Sequence, residues 1–144
     1  MRVPHEVATS RETRMNWKLI FSLSSFGVGM GLCSLMGLAP FLIFLWPVVI
    51  VTSVCLIGAR APGRFALHGF LAGAMMQLWA GAISAYYIFD MSRIGLVEVT
   101  PYGIHPQLIN AFETAAAAAL TGAVIAALML LSTKLEQRRA SQAR

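Results

Sequence analysis

Three polar side chains interrupt apolar stretches of this sequence, and each has a chemistry to weigh: Gln77, His68 and Glu113. Hydrocarbon gives an amide or ionisable group no partner, so such residues are functional candidates by default. Gln77 stands at the centre of residues 65–89, a run of 25 without a formal charge. It could line a path for a substrate or ion, or donate an interhelical hydrogen bond worth about 1 kcal/mol; the structural role is the expectation. His68 precedes it by nine positions, about 180° round a helix, so the pair cannot form one site. A transmembrane histidine can ligate a haem or a chlorophyll magnesium. Here Arg64, one turn earlier, stands where a macrocycle would lie, and His68 is expected to meet water or a headgroup. Glu113 could carry a proton or cation. Its position, about two turns after Pro106, predicts snorkelling to the outer boundary.

Other chemistries find little support. Cys33 and Cys55 are expected near opposite ends of their helices, about 25 Å apart by the helical rise, far beyond the ~7 Å that a disulfide spans. Both read as small buried hydrophobes. His5, His68 and His105 are scattered along the chain, and no HxxxH, ExxH or CxxC occurs, so no metal and no cofactor is expected. There is no phosphate loop and no pair of carboxylates in one apolar segment, so an enzyme is not expected. In size and number of apolar segments the chain is similar to the small multidrug transporters, whose membrane-embedded acid lies in the first span. No acid lies in the first apolar segment here, so the resemblance gives Glu113 no role.

The elements that must hold these residues follow from composition. Of 144 residues 58% are hydrophobic and 12% charged, against about 25% charged in an ordinary soluble domain. Apolar segments at 19–36, 41–58, 65–89 and 111–131 predict an all-α integral membrane protein, a four-helix antiparallel bundle with no room for a second domain. Residues 1–18 read as a polar arm ending in the interface pair Trp17 and Lys18. The first segment is expected to remain as a helix and not to be cleaved as a signal peptide, since Pro40 follows its only small-residue exit. Pro40 suits the start of the second span, and Pro47 inside it predicts a kink. Residues 90–105 form the expected outer loop, with a β-prone run at 96–100. The basic tail, 133–144, reads as a helix end fraying into water.

Charge orients this bundle. If the amino terminus is cytoplasmic, ten of the 11 Lys and Arg residues lie inside and only Arg93 lies outside, a strong positive-inside bias. Both termini are therefore expected in the cytoplasm, with a bacterial inner membrane as the setting. The net charge of +5 points to anionic headgroups on that side, and no nucleic-acid-binding motif accompanies it.

Small residues set the packing. Ala66, Gly69, Gly73, Gln77, Ala80 and Ser84 share one face of the third span. Ser24, Gly27, Gly31 and Ser34 share a face of the first, and Ala111, Ala115, Ala118, Ala119, Gly122 and Ala126 a face of the last. Such grooves let helices approach closely in lipid. They could face the chain's own helices or another membrane protein. The functional expectation is a non-enzymatic accessory or assembly subunit packing against other membrane proteins or against itself. The alternative is a small oligomeric transporter or channel with Gln77, the Pro47 kink and Glu113 along its path.

Overall fold

The computed structural model describes residues 15–93 and 103–142. The arm 1–14, the β-prone run 96–100 and Arg144 lie outside the described residues. Within them the chain is all-helical: α1 (Trp17–Cys33), α2 (Ala39–Arg60), α3 (Phe65–Arg93) and α4 (Pro106–Gln142). All four are long and apolar enough to cross a membrane, the first when α1 is taken together with the helical turn that continues it to Leu38.

Each boundary has a local cause. Asn16 caps α1, its Oδ1 accepting from the Leu19 N–H at 3.2 Å, which satisfies one of the helix's orphan donors. Between α1 and α2 the turn Ser34–Leu38 is π-helical and breaks at Gly37, whose φ of +79° is the left-handed region that a Cβ disfavours. Pro40 then stands in the first turn of α2, where its missing N–H removes no helical bond. The helix continues through Pro47 to Arg60. Two helices overrun the expected boundaries. α3 carries on through Asp90 to Arg93, and α4, which starts at Pro106 as its proline allows, stays helical to Gln142, where a frayed tail was expected. At 37 residues α4 is about 55 Å long, well beyond the roughly 30 Å of hydrocarbon.

α3 is the centre of the packing: its longest seam is with α4 and its next longest with α1. The buried face of α1, running through Leu19, Leu23, Gly27, Met30 and Gly31, recurs every three or four positions, as one side of a helix must. α4 buries Ala118, Gly122, Ile125 and Met129 in the same rhythm. α2 meets the others only lightly. It buries Val49, Ser53 and Ile57, one residue per turn, and leaves Phe41, Phe44 and Val51 largely exposed.

Candidate functional site

The glycines singled out above, with Gln77 and Ala80, lie on two seams. Along α3 and α4 a Cβ built on Gly73 would stand 3.0 Å from the Gly122 Cα, and one on Gly69 would meet Ile125 at 3.0 Å and the Ala126 backbone at 3.3 Å. One on Gly81 would run into Thr114, and one on Gly122 would come within 2.7 Å of the Phe70 carbonyl oxygen. These glycines are where the two backbones touch. Partner numbers fall along α4 as they rise along α3. Gln77 lies inside this seam: its Nε2 donates to Thr121 Oγ1 at 3.0 Å. Further along, Asn110 Nδ2 donates to the Gly81 carbonyl at 3.2 Å.

The second seam joins α1 to α3. A Cβ on Gly27 would collide with the Met76 carbonyl, and one on Gly31 would meet the Ala80 Cα at 3.2 Å and Ile83 Cδ1 at 2.9 Å. Here partner numbers rise together. Ala80 thus turns toward α1, while its wheel neighbours Gly73 and Gln77 turn toward α4. Ala66 and Ser84 are half-buried.

His68 departs from the expectation of a group in contact with water or a headgroup. It is 0% exposed. Its Nε2 accepts the Asn16 backbone N–H at 2.9 Å, and Nδ1 stands 3.1 Å from the Arg64 carbonyl oxygen. A carbonyl only accepts, so Nδ1 carries the proton and Nε2 supplies its lone pair to Asn16. No lone pair is left on the ring to ligate a haem or chlorophyll metal. The physical reason lies in α3 having a neighbour on two sides, so that the face opposite Gln77 is covered by the start of α1.

Arg64 itself is the one non-glycine residue at positive φ, +49°, among the described residues. Its carbonyl also accepts the His68 backbone N–H at 3.1 Å, so one buried histidine closes this turn twice.

Glu113 and Ala115 are exposed on α4, and Pro47 is exposed on α2. The small-residue line expected through Ala111, Ala115 and Ala119 is therefore turned outward at those three positions. The inward line runs through Asn110, Thr114, Ala118 and Thr121 instead, because these polar side chains need protein partners in hydrocarbon. Cys55 is exposed rather than buried, Cys33 is partly buried, and both are free thiols. His105 lies exposed at the start of α4, its Nδ1 accepting the Gln107 N–H at 3.3 Å.

Asn16, Thr114, Thr121 and Gly81 carry these seams and did not stand out in the sequence. Thr114 and Thr121 could have been found from their spacing, seven residues apart on one helix face within an apolar run. Asn16 could have been found as a cap residue just before the first apolar segment. Among the described residues every buried side-chain nitrogen and oxygen has a partner. Compared with family models, curated proteins and solved structures, the chain shows no match in any of the three.

Proposed function

We propose that this chain is a non-enzymatic accessory or assembly subunit that packs against another membrane protein through α2. The observation that carries this reading is the division of the bundle. α1 and α4 each close on α3 through glycine contacts, whereas α2 keeps Phe41, Ile43, Phe44, Val48 and Val51 at 59–77% exposure and is the least buried of the four spans. Its two edges border open apolar grooves. One runs along α1 at Phe26, Gly29 and Cys33, the other along α4 at Leu128 and Leu131. A span held this lightly can be shared with a neighbour without opening either glycine seam of α3.

We read the bundle as antiparallel, with both termini in the cytoplasm of a bacterial cell and the chain in its inner membrane. Two facts support this. Partner numbers run oppositely between α3 and α4 and together between α1 and α3, as alternating helices require. The contacts of Asn16 with His68, and the groove shared by Arg64 and Thr133, bring Lys18, Arg60, Arg64 and Lys134 to one end of the bundle, which the positive-inside rule assigns to the cytoplasm.

The test is purification in mild detergent. The chain should emerge in a particle larger than itself, and Phe44→Ala with Val48→Ala should release it. Recovery only as a stable homodimer would overturn the reading. A second reading, an oligomeric transporter or channel, rests on Glu113, a carboxylate exposed on a spanning helix. Gln77 gives it no support within one chain, since the amide is tied to Thr121 inside a closed seam. Flux in reconstituted vesicles that Glu113→Gln abolishes would establish this second reading.

A further inference from the structure

At the basic end of the bundle the first turn of α3 and the later part of α4 border a groove of about 420 Å³, within the range of ligand pockets. Its walls are Leu67, Met129 and Leu130, and its charged lining residue is Arg64. Leu67 and Leu130 are 42% and 54% exposed, so the groove opens sideways, where the bilayer lies. Thr133 also lines it, but its hydroxyl donates to the Leu130 carbonyl at 3.0 Å and so offers an incoming group no proton. We propose that this groove binds one anionic phospholipid, its phosphate on the Arg64 guanidinium and one acyl chain along Leu67, Met129 and Leu130.

Charge and shape agree on that occupant. A guanidinium is the side chain best suited to phosphate oxygens, and here it stands at the head of an apolar trough, as a lipid's own polarity requires. Arg60 and Lys134 add positive charge at the same end of the bundle. Glu136, the one carboxylate described at that end, lines the adjoining groove, which shares Phe65, Met129 and Thr133 with this one, and is not among the residues that line the lipid groove itself. The guanidinium also has a fixed base. The left-handed backbone at Arg64 is disfavoured for a residue with a Cβ, and it is held by the two interactions of its carbonyl with the buried His68.

The experiment uses the full chain in lipid-free mild detergent. Native mass spectrometry counts bound phosphatidylglycerol against phosphatidylcholine of the same acyl chains, and inorganic phosphate is tried as competitor. Wild type should retain phosphatidylglycerol in preference, and phosphate should not displace it. Arg64→Asn, chosen because asparagine tolerates left-handed backbone, should weaken retention by about fivefold. Arg64→Lys should restore most of it, and Arg60→Gln should change it less than twofold. Leu67→Trp, at a half-exposed position where folding is not at stake, should block the trough and lower retention of both lipids. The proposal is overturned if Arg60→Gln weakens retention as much as Arg64→Asn, if Leu67→Trp binds as wild type, or if phosphate competes fully.

Discussion

Replacing Gly73 by alanine tests whether the glycine stripe is a contact within the chain. The new Cβ would stand 3.0 Å from both the Cα and the N of Gly122 and 3.0 Å from Ile125 Cδ1. Carbon atoms settle at about 3.5–4.0 Å, so α3 and α4 must part by about half an ångström at their closest point, and a gap of that size forfeits about a quarter of the pairwise attraction or more. Overpacking of this kind costs about 1–3 kcal/mol. Alanine's better helix propensity returns about 1 kcal/mol, leaving a net loss of up to about 2 kcal/mol. Gly29 is the control: nothing lies within 4 Å of a Cβ built there, so Gly29→Ala should be neutral or slightly stabilising. The assay is reversible unfolding in mixed micelles titrated with dodecyl sulfate, followed by tryptophan fluorescence. Equal effects at Gly73 and Gly29 would refute the reasoning, because propensity alone would then govern both.

Other expectations concern single polar contacts and topology. A double-mutant cycle of Gln77→Leu and Thr121→Val should give a coupling of about 0.6–1 kcal/mol by the same unfolding assay, and zero coupling would contradict the observed hydrogen bond. His68→Ala leaves the Asn16 N–H without its acceptor, an unsatisfied donor costing about 1–3 kcal/mol. Hydrogen exchange should therefore accelerate at the start of α1 and not at Ala118 or Gly122. Reporter fusions placed after Gly95 and after Arg144 should report opposite sides of the membrane, the second cytoplasmic; agreement between them would break the four-span topology.

The four membrane-length helices were legible in the sequence because length and hydropathy decide that question with little help from tertiary contacts. The glycine stripe of α3 was legible too, since a 3.6-residue period places Gly69, Gly73 and Gln77 on one line whatever surrounds it. What covers that line was not. A wheel shows one helix and no neighbours, so it set His68 against the groove and gave that face to water, whereas α1 covers it. For the same reason Ala80 was grouped with Gly73 although it faces α1. In α4 the wheel counted small side chains and passed over Thr114 and Thr121, whose hydroxyls turn inward because hydrocarbon offers them nothing. The left-handed backbone at Arg64 was not read from the sequence, because the contact that holds its carbonyl comes from His68, a residue the wheel had given to water.

The central claim, that α2 is the face offered to another protein, is tested most directly by photocrosslinking in native membranes. A benzophenone residue replaces Phe44 on α2, which is 77% exposed, or Phe112 on α4, which is 76% exposed. Both positions are equally open, so exposure alone cannot separate them. The account predicts a discrete protein adduct of higher mass from position 44 and lipid adducts alone from position 112. Lipid adducts alone from both positions, or the same protein adduct from both, would contradict it.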